Sequence, residues 1–65
     1  MSDELDTAKR YRQRAEELRV IAADEANREH RRAFERIARD YEIMADSMEM
    51  IDRTNRAHRG NGSSD

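Results

Sequence analysis

Residues 23–32 read ADEANREHRR, and the fold turns on whether this stretch continues a helix or bends the chain back. It contains no glycine and no proline, and its only apolar residues are Ala23 and Ala26. Upstream, Leu5, Ala8, Tyr11, Ala15, Leu18 and Ala22 recur at steps of 3, 3, 4, 3 and 4. That spacing aligns side chains on one face of an α-helix, and Ile21 widens the face. Downstream, Phe34, Ile37, Tyr41, Met44, Met48 and Ile51 recur at steps of 3, 4, 3, 4 and 3. This is a heptad seam, flanked by Ala33, Ala38 and Ala45, which would let a neighbouring helix approach closely.

The two stripes are out of phase. Ala22 and Phe34 occupy equivalent seam positions, yet at roughly 100° per residue the second stripe is rotated by about 120° from the first. A straight continuous helix, the alternative architecture, would swing its apolar face a third of the way round. The phase shift therefore predicts a turn near residues 25–27, with Asn27 capping a second helix by accepting from backbone N–H groups two or three residues on. The expected fold is all-α: an antiparallel hairpin of helices over about 3–26 and 28–57. Ser2 or Asp3 can cap the first helix, whose early acids Asp3, Glu4 and Asp6 suit the positive end of its dipole. Glu35 with Arg39, Glu49 with Arg53 and Asp52 with Arg56 form acid-to-base i,i+4 pairs that favour helix in the second. A turn centred on Ala26 pairs Leu18 with Phe34, Ala15 with Ile37, Tyr11 with Tyr41 and Ala8 with Met44. The two tyrosines are expected to stack or cross near mid-hairpin. The segment RGNGSSD, residues 59–65, has no apolar residue and is expected to be a disordered tail on a 1–58 hairpin.

Composition bounds what such a hairpin can be. With 65 residues, the chain has room for one small domain. Charged residues make up 43% and apolar residues 35%, and there is no cysteine, so neither disulfides nor thiolate metal sites can supplement a small core. The remaining route to stability is association, and the expectation is a homodimer forming a four-helix bundle. Its oligomer and core seam would comprise Leu5, Tyr11, Leu18, Phe34, Ile37, Tyr41, Met44, Met48 and Ile51. Residues 28–41 are net basic, while residues 42–52 hold four acids and no base, so two chains would lie antiparallel with opposite charges adjacent. The longest apolar run, VIAA at residues 20–23, is far too short for a membrane span. Lack of cysteine fits a cytoplasmic protein.

YRQRAEELRVIA (residues 11–22) and RIARDYEIMA (residues 36–45) resemble a group of short uncharacterised helical proteins of rhizobial-type alphaproteobacteria. Their pattern runs YRxRAEELRxIA, a loop of the form D-P-E-A-R, then LLRIAxDYExMA. Tyr11, Arg12, Arg14, Ala15, Glu16, Glu17, Leu18, Arg19, Ile21 and Ala22 match its first half. Ile37, Ala38, Asp40, Tyr41, Glu42, Met44 and Ala45 match its second. The resemblance implies a helical hairpin and no particular activity. It aligns the group's loop aspartate with Asn27 and its proline with Arg28, which places a helix start at the turn read above. This chain lacks that proline and has Ile43 where the group usually carries a charge.

Each chemically suggestive residue has a plainer role. Arg28, Arg32, Arg36 and Arg39 fall on one line of the second helix and could track a phosphate backbone. Glu29, Glu35 and Asp40 lie among or beside them, which favours a solvated face and leaves nucleic-acid contact as the alternative function. His30 follows Glu29, but the Glu-x-x-His spacing of bundle metal sites is missing. His30 is therefore expected beside the turn, with no metal. Ser2, Ser47 and Thr54 have no base and acid partners in a recognisable pattern, and there is no glycine-rich phosphate loop, so no enzyme activity and no cofactor is expected. Val20, Ile43 and Met50 point away from the seams and are candidates for contact with a partner protein.

Overall fold

The structure, a computed structural model, describes residues 3–62, with side chains described as far as His58. Helix α1 spans Asp3–Asp24 and helix α2 spans Arg28–Gly62. They pack against each other as an antiparallel hairpin, a plank whose backbone measures 58 × 17 × 10 Å. Asp3, Glu4 and Asp6 occupy the first turn of α1, where their charge complements the helix dipole. Ser2, one of its two candidate caps, lies outside the described residues.

Side chains specify the turn, which contains neither glycine nor proline. The Asn27 carboxamide Oδ1 accepts from the backbone N–H of His30 at 3.1 Å, as the sequence predicted. The helical ladder begins with the Arg31 N–H donating to the Asn27 carbonyl at 2.9 Å. The Asn27 N–H itself donates to the Glu25 carboxylate at 3.0 Å. In a capping box a glutamate at the third helical position would fill that role. Here the third position is His30, and the acid two residues before the cap substitutes. Arg31 reaches back and donates through Nε and Nη2 to the Glu25 carbonyl at 3.3 and 3.2 Å. Among the described residues no non-glycine residue has positive φ, so the bend needs no residue with glycine's freedom.

Helix α2 is longer than the sequence suggested. The expected tail at residues 59–65 begins inside α2, which continues to Gly62. Residues 63–65 lie outside the described residues. Gly60 costs about 1 kcal/mol in a helix interior but does not forbid helix as proline would. The ion pair between Arg56 Nε and Asp52 Oδ2, at 2.9 Å, supports the turn before it.

The interior contains small side chains. Among the described residues the buried hydrophobic ones are all alanines: Ala8, Ala15, Ala22, Ala38 and Ala45. Tyr11, Leu18, Phe34, Tyr41 and Met48 are half-buried around them. The rings of Tyr11 and Tyr41 lie 5.6 Å apart and tilted by 43°, which confirms the predicted register at that level.

The α2 seam differs from the expected one. Facing α1 are Phe34, Ala38, Tyr41, Ala45, Met48 and Asp52, whereas Ile37, Met44 and Ile51 are exposed at 42%, 38% and 43%. The expected pairings of Ala15 with Ile37 and Ala8 with Met44 are therefore replaced. In the register set by the tyrosines, Ala38 is near the level of Ala15 and Ala45 near the level of Ala8. Alanine lines on both helices permit a closer axial approach than Ile and Met would. The larger residues move to the flank.

Candidate interaction surface

The buried positions of the two helices repeat with a fixed offset of 30 residues. Ala8 and Ala38, Tyr11 and Tyr41, Ala15 and Ala45, and Leu18 and Met48 are such pairs. The same offset relates Arg12 to Glu42 and Arg19 to Glu49. It gives the hairpin an approximate two-fold axis perpendicular to the plank at the tyrosine pair. The repeat A-x-x-Y-x-x-x-A-x-x-(L or M) is visible in the sequence, and it would have identified the alanines as the seam. Reading only the largest apolar residues of the second helix missed it.

One face of the plank is charged. Arg12 Nη2 donates to Asp46 Oδ1 at 2.8 Å and to Glu49 Oε1 at 2.6 Å. Arg19 pairs with Glu42 across the helices. The 30-residue offset exchanges the Arg12–Glu49 and Arg19–Glu42 pairs, so the two bridges are symmetry mates. The hydrogen bond from Arg19 holds the Glu42 carboxyl below its usual range. The bonds to Glu49 and then Asp46 raise the Arg12 guanidinium above its ordinary value. Such solvent-exposed bridges fix register more than they stabilise. Arg14 donates to Glu17 at 3.0 Å, and Glu17 and the Tyr41 hydroxyl raise its pKa in that order. Two seam-level acids that the sequence places only in i,i+4 pairs have further positions in the fold: Glu49 meets Arg12 across the helices, and Asp52 is buried at 4% exposure where Ala22 stands in α1.

The opposite face is apolar along α2. Residues seven apart in an α-helix fall within roughly 20° of one line. Ile37, Met44 and Ile51 thus form a strip, on the side of the seam away from Glu42 and Glu49. The matching α1 positions are Thr7, Arg14 and Ile21, of which Ile21 alone is large and apolar and is 47% exposed. Leu5 is half-buried near the start of α1.

The structure does not bring the other candidate residues together. Val20, Ile43 and Met50 are 62%, 55% and 60% exposed. Val20 is on the edge of α1 turned from α2, and Ile43 and Met50 are on the edge of α2 turned from α1, so they make no common patch. Arg28, Arg32, Arg36 and Arg39 are exposed along the outer edge of α2. Among the described residues no ion pair engages these four, in contrast to Arg12, Arg14, Arg19 and Arg56. Arg39 and Glu35 also line a shallow groove with Arg19, Ala23 and Glu42. The exposed His30 places Nδ1 3.9 Å from Glu25 Oε2, beside the turn. Among the described residues no group of three or more His, Cys, Asp or Glu is placed to hold a metal ion. Among the described residues no helix is long and apolar enough to cross a membrane.

No family model, curated protein or solved structure matches this chain.

Proposed function

We propose that the chain is a non-enzymatic helical hairpin that self-associates, most simply as a dimer forming a four-helix bundle, and acts as a small interaction or regulatory module. The observation that supports it is the mismatch between interior and surface. The interior is filled by alanines, while Ile37, Met44 and Ile51 stand in solvent on one line. A core of alanines and half-buried aromatics supplies little to offset the ordering of some sixty residues, at roughly 1–2 kcal/mol each for the backbone alone. A partner that covers the strip would add large apolar side chains to that core. The reading assigns no catalytic residue, metal or cofactor. It sets the protein in the cytoplasm, consistent with a cysteine-free chain. It also takes the hairpin, and nothing more, to be common to the rhizobial-type proteins that residues 11–45 resemble. Sedimentation equilibrium over a wide concentration range, with circular dichroism on the same samples, tests it. The expected result is loss of helix together with dissociation. A stably helical monomer at low micromolar concentration would refute self-association as the source of stability.

A second reading rests on the unengaged arginine row. Arg28, Arg32, Arg36 and Arg39 are free to meet phosphates, and a dimer would present two such rows. Titration against duplex DNA and RNA across a salt series separates the readings. Binding that weakens steeply with salt supports a nucleic-acid-associated regulator, and salt-insensitive absence of binding removes it.

A further inference from the structure

We infer that the apolar strip of α2 is covered by the same strip of a second copy, antiparallel, with the two-fold axis passing at Met44. This rests on the self-association proposed above and specifies its face, direction and register.

Four observations carry it. First, the strip is palindromic. Ile37 and Ile51 are each seven residues from Met44, so a two-fold at Met44 seats Met44 on Met44 and each isoleucine on its counterpart. Second, α2 spans Arg28–Gly62, and its midpoint is residue 45. A dyad at Met44 therefore overlaps the two α2 helices over nearly their whole length. Third, α2 outruns α1. In the tyrosine register α1 begins near the level of residue 49, leaving a single-helix extension of roughly 20 Å at 1.5 Å per residue. A shallow groove lined by Ser47, Met50, Ile51, Thr54 and Asn55 opens on that extension. The dyad places the extension of each copy against the turn half of α2 in the other. Fourth, a charge pair matches on the shared face: in this register Asp3 of one copy comes level with Arg14 of the other. The face of a plank 58 Å by 17 Å is of the size that one partner buries in a standard stable interface, about 800 Å².

A parallel dyad along the helices fits less well. It would lay the strip of one copy over the α1 flank of the other, where Thr7 and Arg14 oppose Ile and Met. Burying the Arg14 guanidinium against apolar surface would strip it of water without a matched partner.

The absence of cysteine makes the test direct. Met44→Cys, Ile37→Cys and Ile51→Cys are made singly, checked for helix by circular dichroism, and oxidised under mild conditions. Met44→Cys should form a covalent dimer readily, because its two sulfurs meet on the axis. Ile37→Cys or Ile51→Cys alone should form little. Each sulfur then lies about 21 Å along the axis from its mate, at 1.5 Å per residue, beyond the reach of a disulfide. Mixing Ile37→Cys with Ile51→Cys should restore cross-linking, at least about tenfold over either alone. Efficient self-cross-linking of Ile51→Cys, or none from Met44→Cys in a sample that sediments as a dimer, would overturn this register and leave self-association standing. A folded monomer at every concentration would overturn both, and would leave the strip to a helix of another protein.

Discussion

The two long faces of α2 illustrate two ways of using an α-helix. The line facing α1 (Ala38, Ala45 and their half-buried neighbours Phe34, Tyr41 and Met48) is closed, and its alanines are no more than 1% exposed. The line one step round (Ile37, Met44, Ile51) is open and carries larger side chains. Both lines have the seven-residue period of a packed seam. Small residues permit close approach of two helices but bury little apolar area each. Large residues bury much more but hold helices further apart. A two-helix chain cannot place both kinds inside. This one places the small residues within the hairpin and leaves the larger ones of the second line on its surface.

The sharpest way to break that comparison is to enlarge the closed line. Ala45→Leu inserts three heavy atoms where the side chain is fully enclosed, and should cost about 3 kcal/mol, near the top of the usual overpacking range. A smaller enlargement at an exposed position beside the open line, Ser47→Leu, should cost far less. Chemical denaturation of the two variants under one set of conditions gives the ratio. Equal losses would mean that both lines are equally enclosed and that the seam assignment is wrong. The next largest effect is expected at Tyr41. Removing a fully packed large aromatic costs about 3–5 kcal/mol. Tyr41 is half-buried, so Tyr41→Ala should cost about 2 kcal/mol by the same measurement.

How far the sequence reveals this arrangement depends on the residue. The hairpin is legible because a phase shift between two stripes cannot be accommodated on one straight helix. The Asn27 cap is legible because an Asn side chain has a specific hydrogen-bonding use at a helix start. The α1 seam is legible since its large and small members lie on one line. The α2 seam is half legible: Phe34, Tyr41 and Met48 are common to both possible lines, and the choice between Ala38–Ala45 and Ile37–Met44 turns on axial distance, which hydrophobicity does not report. The bracing of the turn by Glu25 and Arg31 was hidden for a different reason. It depends on where two backbone groups point after the bend forms. For the interaction surface, the sequence reading placed Ile37, Met44 and Ile51 in the apolar seam, and only the packing separates them as an exposed strip.

The charged face offers a pH-dependent version of the same comparison. The Glu42 pKa is lowered in the folded chain, chiefly by the hydrogen bond from Arg19. A group whose folded pKa lies below its unfolded value contributes stability that is present above the unfolded pKa. That contribution is lost as pH falls through the folded pKa. Thermal melting followed from pH 6 downward should therefore show a steeper decline below the ordinary carboxylate range in the wild type than in Glu42→Gln. Arg12 and Arg19 stay charged throughout this window and do not contribute to the slope. Parallel curves would show that the inter-helix bridge carries no stability in solution.

The smallest effects are expected at the turn, where the two positions on either side of the helix start should separate. Asn27 is the cap, and Asn27→Ala removes the acceptor of the His30 N–H, a loss of about 1 kcal/mol. Arg28 is the first residue of α2. The first N–H groups of a helix have no acceptor within it, so proline at the first position removes little. Its ring fixes φ near the helical value, and it restricts the preceding residue to the extended conformations that a cap residue ordinarily adopts. It also reduces the freedom of the unfolded chain, which favours the fold. Arg28→Pro should therefore change stability by no more than about 0.5 kcal/mol, or raise it slightly. The two variants are compared by denaturant midpoint at one protein concentration, so that mass action does not distort the difference. If Arg28→Pro proved more damaging than Asn27→Ala, the backbone at residue 28 would have to be helix interior. The stripes would then belong to one long helix, and the closed and open lines of α2 would both need assigning to partners outside the chain.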